Sequence, residues 1–409
     1  MLPRINRAVA GAVATWLAAV PSATRADDNS IRALDEAAYV RLVLDHSPRR
    51  PVHAARHRAA DMAISAAAPL PNLTLSYERE AVPSLDAADD FVRLGWTLDL
   101  AGRRGLATEA ARAGADAEHA LANRDEFLLD NDARTVYAEA AFCRARVAQL
   151  ERSRARLSMI VDALRSRARQ GDASDYDVDR AALELELLDD ERAEAQRKLD
   201  AARLRLGALA GEPTAAYDTS AELVVPAKPV LQDRVRAGAD ELAARARARQ
   251  AEREAVAAGR GWVPRFELVA GMIASTSASG DGVGYVVGIQ GDLPVFDRGG
   301  AHSARSRAEA ARWRHEAEAA ALETRAETEQ ARRDLAARID QAIAFAAGPA
   351  KRASDLERRA TVTYREGDRP ILELLDVHRT ARHAALRGLE LIYEARRAEL
   401  VLQRSLGAP

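Results

Sequence analysis

The sequence predicts an α+β fold made of two copies of one unit, each with two short β-strands ahead of a very long α-helix and a second, shorter helix. Three observations carry this prediction: a repeat at an offset of about 196 residues, two helical stretches of more than sixty residues, and four runs of apolar–polar alternation. The repeat is plain where Arg169-Gln-Gly171-Asp172 recurs as Arg365-Glu-Gly367-Asp368, and where Leu209-Ala-Gly211 is matched by Ser405-Leu-Gly407. Self-similarity at a fixed period marks a duplicated structural unit.

Composition agrees with long helices. Aromatic residues make up only 4% of the 409 residues. Ala, Arg, Glu, Leu and Asp dominate long stretches, and Ala favours helix while letting neighbouring backbones approach. At its start the chain reads as a secretory signal: Arg4 and Arg7, an apolar run from Ala8 to Val20, then small residues before Asp27-Asp28. Cleavage after Ala26 is expected, since the apolar run is shorter than the ~20 residues a membrane-spanning helix needs. Removing residues 1–26 takes away three arginines and moves the formal charge from −2 to −5. That balance offers no basic surface for nucleic acid.

Residues 27–212 read as the first repeat: a leading helix, strands at 72–80 and 91–100, a long helix 102–169, a tip at 170–175 and a helix 176–210. In the strands, Leu73, Leu75 and Tyr77 alternate with polar residues, as do Val92, Leu94, Trp96, Leu98 and Leu100. Alternation of this kind over about 10 residues is the weak signature of a membrane-barrel strand, apolar toward lipid and polar toward the lumen. After a linker at 213–229, the second repeat at 230–409 has a leading helix, strands at 265–275 and 283–296, and a long helix 300–366. A tip at 367–370 and a helix 371–407 complete it. Gly348-Pro349 is expected to kink or break the long helix, because proline removes a donor and clashes with the preceding turn.

Each shorter helix carries an apolar seam with steps of three and four. Val178, Ala181, Leu185, Leu188, Ala195, Leu199, Ala202, Leu206 and Leu209 form the first, interrupted by Arg192. Leu374, Val377, Ala381, Ala384, Gly388, Leu391, Ala395, Ala398 and Leu402 form the second. Such spacing predicts coiled-coil packing with a left-handed supercoil. No later segment is apolar enough for a spanning helix, so any membrane contact falls to the strands. Four strands cannot close a barrel, and an open edge in lipid leaves backbone groups unsatisfied at several kcal/mol each, so the chain is expected to oligomerise.

With this order of elements, with Pro71-Asn-Leu-Thr-Leu and Gly291-Asp-Leu-Pro-Val-Phe-Asp at the strands, and above all with Tyr364-Arg-Glu-Gly-Asp-Arg-Pro-Ile-Leu-Glu-Leu-Leu-Asp376, the chain resembles the TolC family of outer-membrane efflux proteins. The resemblance runs from about Ala33 to Gly407. It implies a homotrimer in the outer membrane, whose protomers close one twelve-stranded β-barrel continuous with a twelve-helix periplasmic barrel, served by a periplasmic adaptor and an inner-membrane pump. It also implies Glu373 and Asp376 at the pore entrance, where a threefold axis turns each carboxylate into a ring favouring cations. Asp177, Tyr364 and Arg369 are implied as the closed constriction, with an Arg369–Asp177 bridge. The resemblance further implies that Gly171, Asp172, Gly367 and Asp368 form tips that dock the adaptor, while Asp172 and Asp368 are equally placed to cap the next helix. Glu373 stands where the family's best-known member has the shorter aspartate, which keeps the charge and lengthens the arm. The tip motif and the compact length look most like the heavy-metal cation branch of cobalt, zinc and cadmium type; multidrug and protein-secretion channels share the architecture.

Other chemistries find little support. Cys143 is the only cysteine, so no internal disulfide and no lipid-anchored N-terminal cysteine is expected. His53 and His57 stand four apart and are expected as a surface pair without function, His378 and His383 do not share a helix face, and no CxxC or HExxH occurs. No metal site and no cofactor is expected. Gly299-Gly300 and the Gly280 to Gly284 stretch lack phosphate-loop spacing, and no nucleophile–base pair stands out, so the chain is not expected to be an enzyme. A soluble periplasmic coiled-coil adaptor is the rival from another class. It would show one helical hairpin flanked by lipoyl-like and barrel-like halves, whereas two hairpins each follow a strand pair here.

Overall fold

The computed structural model describes residues 32–82, 87–215, 217–228, 237–277, 280–366 and 370–407. The expected signal at 1–26 and three of the tip residues, Gly367, Asp368 and Arg369, lie outside them.

The first half runs β1 (Arg32–Leu34), α1 (Glu36–His46), α2 (Arg50–Ala67), β2 (Thr74–Val82), β3 (Ala87–Leu98), α3 (Arg103–Arg169), α4 (Asp175–Leu209) and β4 (Tyr217–Thr219). The second runs α5 (Ala239–Gly259), β5 (Arg265–Ser277), β6 (Gly280–Asp292), α6 (Gly300–Phe345), α7 (Lys351–Glu366) and α8 (Ile371–Leu406). At 1.5 Å rise per residue, the 67 residues of α3 extend on the order of 100 Å.

Strand ends differ from the sequence expectation for local reasons. β3 stops at Leu98 because both carboxylate oxygens of Asp99 accept from the first turn of α3, at 2.9 Å from Arg103 N and 2.8 Å from Arg104 N. β6 stops at Asp292, two residues before Pro294, which has no ladder donor. Nor does Pro349 break its helix: α6 passes into a π turn, Ala346–Ala350, and on into α7. The wider turn takes up the missing proline donor and the crowding against the preceding carbonyl.

The expected linker at 213–229 holds β4, which pairs in parallel with β1 through Arg32↔Tyr217, Ala33↔Asp218 and Leu34↔Thr219. One tyrosine of α3 fastens this pair to the helices, and one of α1 fastens α1 to α4. Tyr137 donates to Leu34 O at 2.8 Å and Tyr39 to Leu206 O at 3.0 Å.

Strands β2, β3, β5 and β6 form one antiparallel sheet in that order. Register lines up Leu75, Leu94, Ala270 and Val287 across all four strands, and likewise Tyr77, Val92, Met272 and Tyr285. Trp96, Leu268 and Ile289 continue the same face. That face is apolar and exposed. The other face carries Glu78, Arg93, Thr97, Glu267 and Gln290, with Arg93 bound to Glu78 at 2.6 Å and Gln290 to Glu267 at 2.6 Å. Among the described residues, no helix is long and apolar enough to cross a membrane.

Along α4 the seam residues Ala181, Leu188, Ala195, Leu199, Ala202 and Leu206 are buried, and along α8 so are Leu374, Ala381, Leu391, Ala395, Ala398 and Leu402. One apolar cluster follows α3 and α4 from Tyr39 and Tyr217 to Leu164 and Ala181 and takes in Ile371, Leu374 and Leu375 of α8.

Candidate functional site

The site lies at the helix ends remote from the sheet, where α3 turns into α4 and α7 into α8. The first turn is closed by backbone bonds from Asp172 N to Arg167 O at 2.9 Å and from Gly171 N to Ala168 O at 3.0 Å. This is the Schellman arrangement, which needs a left-handed residue; Gly171 supplies it with φ +84°. Asp172 does not cap the next helix. That role falls to Ser174, whose Oγ accepts from Tyr176 N at 3.1 Å, while Asp175 and Asp177 occupy the first turn, where the helix dipole favours negative charge.

α8 begins after Pro370 without a side-chain cap. Its first turns point Ile371, Leu374 and Leu375 into the core and leave Glu373 and Asp376 exposed. Apolar residues thus orient the two carboxylates outward. Asp177 is half-buried on α4. Tyr364, on the last turn of α7, packs against the shared apolar cluster, and its ring lies under the guanidinium of Arg167. The structure therefore gathers Gly171, Asp172, Asp177, Tyr364, Glu373 and Asp376 at one end of the molecule. An Arg369–Asp177 bridge falls outside the described residues.

Sequence reading missed what ties the two hairpins together. Arg156 on α3 donates to both oxygens of Glu357 on α7 at 2.9 Å, and His378 Nδ1 on α8 donates to Glu357 Oε1 at 2.7 Å. The His378 bond, with Arg156 beside it, holds the Glu357 carboxyl below its ordinary range against the opposing effect of burial. Next to it, Arg379 of α8 binds Glu184 of α4 and lowers that carboxyl in the same way, with Arg382 3.7 Å from it. A signal was present in the heptad phase: His378 falls one position from the seam residue Val377, so it sits at the edge of the buried stripe. Between α3 and α7 runs a groove of about 590 Å³ whose walls include Met159, Arg167, Val362 and Tyr364.

The histidine expectations need correction. His53 is buried, at 9% exposure, and His57 meets His119 of α3 instead of standing free at the surface. Among the described residues, no group of three or more His, Cys, Asp or Glu side chains is arranged to hold a metal ion.

No protein-family model matches the chain. No curated protein matches it either. Solved structures do. The outer-membrane channel OprN superposes with a TM-score of 0.74 at 20% identity, over 91% of this chain and 90% of that one. VceC, an outer membrane protein of Vibrio cholerae, gives 0.73 at 18% identity over 91% and 96%. CusC, whose structures concern folding and transmembrane channel formation, gives 0.75 at 16% identity over 93% and 94%. The chain thus has the fold of TolC-like outer-membrane channels, mostly helical with a small sheet.

Proposed function

We propose that this protein is the outer-membrane channel of a tripartite efflux system, a homotrimer that passes solutes outward from the periplasm or from an inner-membrane pump. The observation that carries the reading is the open four-stranded sheet, with β2 and β6 at its edges and an exposed apolar face. Such an edge is untenable in lipid unless another copy pairs with it. Three copies give twelve strands, enough to enclose a lumen, with the polar face inward and the apolar face toward lipid. The helices then extend into the periplasm, and their tips form the narrow end.

At that end Asp177, Tyr364 and Arg369 form the constriction, and rings of Glu373 and Asp376 favour cations at the entrance. Gly171, Asp172, Gly367 and Asp368 meet the adaptor. Heavy-metal cations are the proposed cargo, on the resemblance of the tip motif to that branch. Transport of this kind requires no covalent chemistry from the chain.

The testing experiment has two parts. Purified protein added to planar bilayers forms discrete conducting pores and weighs three chains by light scattering; a non-conducting soluble monomer overturns the channel reading. A strain lacking the gene becomes hypersensitive to zinc, cobalt or cadmium and recovers when the wild-type copy is restored, whereas hypersensitivity confined to dyes, bile salts or antibiotics replaces metal cations by drugs as the cargo.

A further inference from the structure

Between α2 and α3 four titratable groups stand in a row. His119 Nε2 lies 3.1 Å from Asp61 Oδ1, and His57 Nε2 lies 3.6 Å from Glu126 Oε1. The two Nδ1 atoms face each other at 2.8 Å. The ring centroids are 5.1 Å apart with planes inclined by 20°, a separation as long as the 2.8 Å contact permits. The rings therefore meet edge to edge, with the Nδ1 atoms head-on. Both side chains are about two-thirds covered, at 28% and 32% exposure.

Two bare nitrogen lone pairs repel at this distance, so a hydrogen lies between them. The Asp61 carboxylate at His119 Nε2 favours the tautomer with hydrogen on that nitrogen, and a neutral ring in that tautomer has a bare Nδ1. Glu126, 3.6 Å from His57, is beyond hydrogen-bond reach, so a neutral pair satisfies the row: His57 Nδ1–H donates to the bare Nδ1 of His119, and His119 Nε2–H donates to Asp61. Nearby charged side chains of α2, α3 and α5 pair with one another. On α2, Arg56 binds Glu118 at 3.1 Å and Asp125 at 2.7 Å, and from α5 Arg247 reaches Glu118 at 3.5 Å. His53 lies buried one turn before His57 on α2. A metal ion does not fit the same geometry, since two collinear zinc–nitrogen bonds would need the nitrogens about 4 Å apart.

We propose that His57 and His119 clasp α2 to α3 through an Nδ1–H···Nδ1 bond, and that protonation of both rings opens the clasp. Once both rings are fully protonated, N–H points at N–H and the rings must separate. The closed neutral pair holds two ring protons and the fully protonated open pair four, so acidification favours the open form. Histidine ordinarily titrates between pH 5 and 8. Because α2 leads into β2 and α3 follows β3, the clasp joins the two helical legs of the first strand pair, making that joint acid-sensitive.

Hydrogen exchange read by mass spectrometry on the full chain in detergent, at pH 7.5 and pH 5.5 after correction for intrinsic rates, tests this. α2 peptides of the wild type are expected to exchange several-fold faster at the lower pH while α8 peptides do not. His119→Gln and His57→Gln, which leave one ring facing an amide that can donate or accept, are expected to show a much smaller pH effect on α2 protection. Each variant must retain wild-type α8 protection, so that a folding defect is recognised, and the other variant then carries the comparison. Equal wild-type protection at both pH values overturns the proposal, as does an undiminished pH effect in a folded variant.

Discussion

The guanidinium carbon of Arg167 lies 5.1 Å from the ring centroid of Tyr364, joining the last turn of α3 to the last turn of α7. Tyr364 is therefore held within its own chain, from one hairpin to the other. A cation–π contact at such a site is worth about 0.5–1 kcal/mol. One kcal/mol is roughly a fivefold change in an equilibrium. Arg167→Ala is expected to raise the open fraction of reconstituted pores by a factor of up to about five, and Tyr364→Ala to raise it at least as much. Single-channel recording decides: unchanged open probability in both variants removes this contact from the gate.

Glu357 accepts from helices on both sides of it, so neutralising it leaves Arg156 and His378 facing a weaker acceptor. Hydrogen bonds to charged groups contribute about 1.5–3 kcal/mol, and Glu357→Gln is expected to destabilise by an amount near the lower end because Arg156 is half exposed. The pH dependence has a definite sign. The folded carboxyl lies below its ordinary value of 4.5, so its contribution is complete above that value and is lost as pH falls through the lower, folded value. Melting temperatures of wild type and Glu357→Gln should differ at pH 7 and converge in strong acid. A constant difference across that range would mean that the ionised carboxylate is not what stabilises.

Much of this end was legible in the sequence, and the part that was not is non-local. The tip glycine Gly171 announces itself because a left-handed residue is a local requirement, and the seam of α4 does so because period is local. The joining of Arg156 to Glu357 and His378 links α3 to a hairpin 201 residues further on, and no spacing rule reaches that far. Strands β1 and β4 are three residues each, too short for alternation to register. Choosing Ser174 over Asp172 as the cap depends on which residue directly precedes the first helical turn, and the Schellman turn settles that by placing Asp172 within itself.

Gly171 and Gly299 both have positive φ, but substitution should cost differently. A Cβ on Gly171 meets nothing within 4 Å, so Gly171→Ala bears only the left-handed penalty of about 1–2 kcal/mol. A Cβ on Gly299, just before α6, would lie 2.0 Å from Ala258 O and 3.1 Å from its carbon, so backbone must move as well. Chemical denaturation should rank Gly299→Ala well below Gly171→Ala in stability. Equal losses would show that the Gly299 approach relaxes freely.

Val286 and Val287 sit side by side on β6 but face opposite sides of the sheet. Val287 lies in the apolar row with Ala270 and Leu94, while Val286 opposes Gly271 on the face that bears Arg93 and Glu78. Their depth in the sheet is the same, so a charge placed on each in turn separates the two faces with depth held constant. On a lipid-facing position an arginine costs about 2–4 kcal/mol near the bilayer midplane, whereas a lumen position tolerates it. Val287→Arg is therefore expected to lower the yield of membrane-inserted trimer sharply, and Val286→Arg to leave assembly intact while reducing cation preference through its added positive charge. Membrane fractionation and reversal potentials in a salt gradient supply the readouts. The opposite ranking would mean that the apolar face is turned inward, and the assignment of lipid and lumen faces would have to be exchanged.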